Sequence, residues 1–112
     1  MPMPILDEQG RKRPIGYDPK RKKFIRYDDV VSGKEKIVPL ESLSQDDLKK
    51  LVIRRWQALP KDQVSQAISG PPYTRDDVIQ AIRKDDPFGK MTVQAETAYL
   101  KNLLKEIESN LE

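Results

Sequence analysis

Ile15-Gly16-Tyr17-Asp18-Pro19-Lys20-Arg21-Lys22-Lys23-Phe24-Ile25-Arg26-Tyr27 is the stretch on which the fold turns. Apolar and aromatic residues flank a polar centre on both sides, the pattern of strand, turn and strand. Asp18-Pro19 suits the opening of a type I turn, because Asp bonds the turn's own amides and Pro presets φ. On the second strand Phe24 and Arg26 share one face, while Ile25 and Tyr27 take the other. A further turn signal, Ser32-Gly33-Lys34, separates Val30-Val31 from Ile37-Val38. It predicts another strand and a short meander. A sheet this small cannot hold itself up and must lean on other elements.

Those elements follow downstream, where the apolar period changes from two to 3.6 after Ser42. Ser44 ahead of Asp46-Asp47 is an N-cap with acids in the first turn, where they oppose the helix dipole favourably. Leu48, Leu51, Val52, Trp56 and Leu59 recur at helical spacing until Pro60 stops the run. Asp62 predicts a second, short helix bearing Val64, Ala67 and Ile68, ended by Gly70-Pro71-Pro72. Thr74-Arg75-Asp76-Asp77 repeats the cap, and Val78, Ile79 and Ile82 give a third helix that Asp85-Asp86-Pro87-Phe88-Gly89 breaks. The last helix is expected from Met91 to Asn110, about 30 Å long. Two capped starts 30 residues apart, at Ser44 and Thr74, fall within the range of helical repeats. Two copies are too few for a solenoid, and any capped amphipathic helix converges on this pattern.

The expected fold class is α+β, mainly α: a short N-terminal β-hairpin or meander followed by a small bundle of three or four helices. Pro2, Pro4, Pro14 and Pro19 argue against a regular helix at the start of the chain. Residues 1–14 are therefore expected as a mobile arm, 15–40 as a basic hairpin or meander, and 41–112 as a helical domain with a long C-terminal helix. The expected core is Leu48, Leu51, Val52, Trp56, Leu59, Ile68, Val78, Ile82, Leu100, Leu103, Leu104 and Ile107, enough for one modest domain in 112 residues.

Composition narrows the function. The chain has no cysteine and no histidine, which removes disulfides, Cys/His zinc sites, thiol nucleophiles and histidine-based catalysis. None of the six serines lies in G-x-S-x-G or S-x-x-K, and no glycine pattern forms a phosphate-binding loop. Four Asp-Asp pairs, at 28–29, 46–47, 76–77 and 85–86, are the remaining candidates for a magnesium site. Capping and helix breaking account for three of them, and none has the calcium-loop spacing. The expectation is a non-enzyme without cofactor or metal. It has no apolar run long enough to span a membrane and no visible secretory signal, and is expected in the cytoplasm.

Net charge is +3, but it is not spread evenly. Residues 1–40 hold ten basic side chains against six acidic ones, and Arg11–Arg26 alone holds eight against one. From Asp85 onward the balance reverses, with three basic and six acidic residues. Cations interleaved with aromatic rings neutralise phosphates and offer stacking faces. The nucleic-acid candidates are therefore Arg11, Lys12, Arg13, Tyr17, Lys20, Arg21, Lys22, Lys23, Phe24 and Arg26. The protein-contact candidates are Trp56, the lone tryptophan, and the stripe Leu100, Leu103, Leu104, Ile107 and Leu111 at the chain end, which packs within the monomer or against a partner or second copy. Glu96 and Asn110 at would-be seam positions argue against a free-standing coiled coil. Two function classes follow: a non-catalytic accessory protein whose basic ribbon contacts nucleic acid or another polyanion and whose helical part docks a protein partner or second copy, or a protein–protein adaptor or assembly subunit of a larger complex, phage-like for example, with no nucleic-acid contact.

Overall fold

The computed structural model describes residues 4–61, 64–65 and 73–111. Helix α1 (Glu8–Lys12) precedes a hairpin of β1 (Pro14–Asp18) and β2 (Lys23–Arg26), and α2 (Tyr27–Val31) follows directly. A 3-10 turn (Leu40–Ser42) leads into α3 (Gln45–Gln57). Two-residue strands β3 (Val64–Ser65) and β4 (Tyr73–Thr74) pair antiparallel ahead of α4 (Arg75–Arg83) and α5 (Pro87–Leu111). The class is α+β, mainly α, with one N-terminal hairpin.

Several boundaries differ from expectation for local reasons. Asp7 caps α1 by accepting from the Gly10 amide at 2.7 Å, so five helical residues fit between Pro4 and Pro14 in the segment expected as an arm. The meander stops at Arg26: residues 27–31 are a helix, and the third strand through Ile37-Val38 is absent. Gly33 does turn the chain, but as the stop of α2, with φ +85° and its amide on the Val30 carbonyl. Val64 lies in a strand paired with Thr74 rather than in a second helix, while Ala67 and Ile68 lie outside the described residues. Helix α5 starts four residues early, because Pro87 sits in its first turn, where no amide is needed. Its 25 residues make it about 37 Å long.

Ser44 and Thr74 cap α3 and α4 by accepting from the Asp47 and Asp77 amides, each at 3.1 Å, and Asp77 returns a bond to Thr74 in a capping box. The three long helices and the hairpin enclose two apolar clusters. In the larger, Ile15, Tyr17, Ile25, Tyr27 and Val30 from the hairpin and α2 meet Leu40, Leu43, Leu51 and the stripe Leu100, Leu103, Leu104 and Ile107. The smaller joins Val52, Val78, Ile82 and Val93, with Trp56, Tyr73 and Phe88 packed on it. Leu48 touches both. The hairpin's inward face thus supplies core that helical periodicity does not reveal.

A charged cluster ties the ends of the chain to α3. Arg55, only 3% exposed, donates Nη1 to the Pro14 carbonyl at 2.9 Å, and Nε and Nη2 to the Glu96 carboxylate at 3.4 Å each. Arg13 joins it, with Nη2 on Glu96 at 2.9 Å and Nε on the Arg55 carbonyl at 3.1 Å. Burial first, and the Arg55 charge second, hold the Arg13 guanidinium below its ordinary value. Removing the shared carboxylate strands two cations, one of them buried. Glu96→Gln should cost about 3–5 kcal/mol in urea unfolding.

Where α4 meets α5 the backbones nearly touch. A Cβ built on Gly89 would lie 2.1 Å from the Ala81 carbonyl oxygen, a backbone atom with no room to retreat. Gly89→Ala should therefore destabilise by about 1–3 kcal/mol, although alanine is the better helix former. A neutral result by chemical denaturation would contradict this packing.

Candidate nucleic-acid interface

The hairpin tip is built by Asp18, whose Oδ1 accepts from the Lys20 and Arg21 amides at 3.0 and 3.3 Å. That side-chain turn sets the Pro19–Lys22 loop, which closes with Lys22 in the left-handed region at φ 52°. Register runs Tyr17 to Phe24 and Asp18 to Lys23, with an irregularity between Pro14 and Gly16 at the base. Ile25 and Tyr27 point into the core, whereas Phe24 is half-buried and Arg26 exposed, as the strand's alternation requires.

The ten candidates do not form one uniform basic patch. Arg13 faces inward, to Glu96 and Arg55. Tyr17 is buried in the core and touches Phe24, ring centroids 4.9 Å apart. Arg21 reaches Asp18 Oδ2 at 2.7 Å and also the Glu35 carboxylate, which Lys23 Nζ meets at 2.6 Å. Lys12 pairs with Glu8 at 3.4 Å, and Arg11 lies 3.9 Å from Asp28. Lys20, Lys22 and Arg26 are exposed and make no ion pair among the described residues. Sequence distance conceals the neutralising acids: Glu35 and Glu96 sit far from their partners along the chain.

One contributor comes from α3 rather than from the ribbon. Arg54 is exposed, and its guanidinium carbon lies over the Phe24 ring, 6.0 Å from the centroid. Lys50, one turn earlier, is exposed on the same helix face. Arg54 thus joins the half-buried Phe24 ring, while Lys22 and Arg26 flank Phe24 two residues away on either side along the chain. Arg54 carries a readable signal, since it falls outside the apolar stripe of α3 and so must face out.

The protein-contact candidates sort differently. Leu100, Leu103, Leu104 and Ile107 are buried in the chain's own core, so they offer no free surface. Among them only Leu111 remains open, at 48% exposure. Trp56 is half-buried against Val52, Val78, Ile82 and Val93, and its Nε1 is buried without a partner among the described residues. Leu111 and Val31 lie at a groove of about 530 Å³ that Ile37, Lys36 and Glu108 also line.

The aspartate pairs have structural work. Those at 46–47 and 76–77 lie in first helical turns, Asp85 pairs with Lys49 at 3.0 Å, and Asp86 accepts from the Gly89 amide at 2.8 Å. Among the described residues no three carboxylates gather, and no helix is long and apolar enough to cross a membrane. No protein-family model, curated protein or solved structure matches the chain.

Arg21, then Lys23, hold the Glu35 carboxyl down to about 2, from an ordinary 4.5. Arg21 likewise keeps Asp18 below its usual range. A depressed carboxylate stabilises the fold fully above its unfolded value and progressively less as protons compete for it. The melting temperature should therefore fall as pH drops from about 4.5 towards 2. Glu35→Gln should flatten that fall. An equally steep acid limb in the variant would assign it to other groups.

Proposed function

We propose that the protein is a non-catalytic accessory module that binds nucleic acid through its phosphates. Lys20, Lys22, Arg26 and Arg54 make the electrostatic contact, and the Arg54 guanidinium over Phe24 offers a base its stacking plane. The single observation that carries the reading is that these cations have no carboxylate partner among the described residues, while their neighbours are neutralised. Arg11, Lys12, Arg21 and Lys23 play a weaker part, because each already faces an acid. Arg13 and Tyr17 leave the interface and serve the fold.

Four phosphate contacts on a single strand give a log–log salt slope of about −3. Fluorescence anisotropy with labelled oligonucleotides at several salt concentrations measures it. The triple variant Lys20→Glu, Lys22→Glu, Arg26→Glu should abolish binding while leaving the circular dichroism unchanged, since none of the three makes an ion pair among the described residues. Undiminished binding by that variant would sink the reading.

The groove beside Val31 and Leu111 favours a second reading, in which the module docks a protein partner or a second copy of itself. Pure adaptor function on that surface would show binding insensitive to salt and to the triple variant, yet lost in Leu111→Asp.

A further inference from the structure

Ile37 and Val38 are β-branched strand formers, yet among the described residues no strand pairs with them. The segment that carries them is tied at both ends. The Glu35 amide donates to the Asp29 carbonyl at 3.0 Å, and the Pro39 carbonyl accepts from the Ser42 amide at 3.0 Å. Between those ties the amides and carbonyls of Lys36, Ile37 and Val38 make no hydrogen bond among the described residues. Pro39 leaves the segment with φ −58° and ψ 133°, an extended conformation. Ile37 and Val38 pack their side chains on the larger apolar cluster, so the segment is held in place while its backbone stays unpaired.

There is room beside it. Ile37 and Glu108 lie where two grooves meet, one of about 530 Å³ towards Val31 and Leu111, the other of about 450 Å³ towards Leu40 and Ala98. Apolar and charged side chains of both signs line each groove, so neither selects an occupant by charge. What distinguishes the place is a row of unused backbone donors and acceptors. Their complement is another extended backbone.

We propose that two copies of the chain pair there, antiparallel, through Lys36–Val38 about a two-fold axis at Ile37. Such an axis sets Ile37 opposite Ile37 of the second copy and Lys36 opposite its Val38. Lys36 and Val38 then exchange amide and carbonyl bonds, and the two Ile37 side chains meet between them as a non-hydrogen-bonded pair. Pro39 has no amide to offer and ends the ladder. The same register carries Lys34 of each copy to the 3-10 turn of the other, beside Glu41. Lys34 and Glu41 are both exposed and make no ion pair among the described residues, whereas Glu35 is spent on Arg21 and Lys23. Antiparallel pairing brings these opposite charges together; parallel pairing would set Lys34 against Lys34. The segment is its own complement. This rests on the reading in which a second copy docks beside Val31 and Leu111, and it does not depend on the hairpin's cations.

The full chain tests it by sedimentation equilibrium from about 10 µM to 1 mM, the range suited to so short a contact. The mass should climb from monomer towards dimer. Amide exchange followed by NMR over the same range should slow at Lys36 and Val38 but not at Ile37, whose amide points to the other edge. Lys34→Glu and Glu41→Lys should each weaken the dimer about tenfold, because each symmetric dimer holds the pair twice. Combining them should restore it. The hairpin variant Lys20→Glu, Lys22→Glu, Arg26→Glu should dimerise as the parent does. A chain that stays monomeric throughout would overturn the proposal and the docking of a second copy together. A dimer without the alternating protection, or without rescue in the double variant, would overturn the strand pairing alone.

Discussion

Everything in this small fold is arranged around two arginines that share one glutamate. Arg13 belongs to the N-terminal segment, Arg55 to α3 and Glu96 to α5, so one carboxylate fastens three parts of the chain. Arg55 also donates to the Pro14 carbonyl, at the end of β1 where pairing with β2 becomes irregular. The hairpin's base is thus held by a helix side chain where its own ladder weakens. Taking charges out of water is costly, and the cost is recovered only where geometry and additional hydrogen bonds are good. Here the carbonyls of Pro14 and Arg55 supply those bonds. Apolar packing gives most of the stability, but it is indifferent to small slides of one element past another. Directional bonds to Glu96 set where the hairpin sits.

The same logic redistributes the molecule's charge. Along the chain Arg11–Arg26 looks almost uniformly basic, with Asp18 as its one acid. In space it is interrupted by acids from elsewhere, Glu35 beneath the hairpin tip and Glu96 at its base. What survives as unneutralised positive surface is narrower and better defined, and it includes Arg54 from a helix. A binding surface of this kind is a remainder, shaped as much by what the fold consumes as by what the composition supplies.

Much of the architecture was legible beforehand because it rests on local chemistry. The caps at Ser44 and Thr74, the Asp18-Pro19 turn and the apolar stripe of α5 each declare themselves within a few residues. The misreadings have physical causes. Val30-Val31 and Ile37-Val38 are β-branched and flank a glycine, yet Tyr27 and Val30 are needed one helical turn apart in the core, and packing overrode propensity. The leucines of α5 were legible as core, but not their partners: Ile15, Ile25 and Tyr27 lie some 80 residues away in an element of different period. The buried cluster did leave a trace. Arg55 falls on the apolar stripe between Leu51 and Leu59, and Glu96 between Val93 and Leu100, so two opposite charges occupied core positions on two helices. Read together, such a pair predicts its own contact. For Arg13 and Glu35 no comparable local signal exists.

The two apolar clusters have a consequence for how the chain is made. The smaller draws its members from residues 52–93, whereas the larger joins the hairpin to Leu100–Ile107. During synthesis the hairpin precedes all of its apolar cover: Leu40, Leu43 and Leu51 follow within some 35 residues, but the Leu100–Ile107 side of the cluster comes only some 80 residues later. At ordinary elongation rates that interval is on the order of 5–15 s. For that time the face of Ile15, Tyr17, Ile25 and Tyr27 that meets α5 lacks its cover, on a strand pair whose edges are open. The lysines and arginines crowding the tip repel one another between chains as well as within them. Such repulsion disfavours pairing between two unfinished hairpins before α5 closes the cluster.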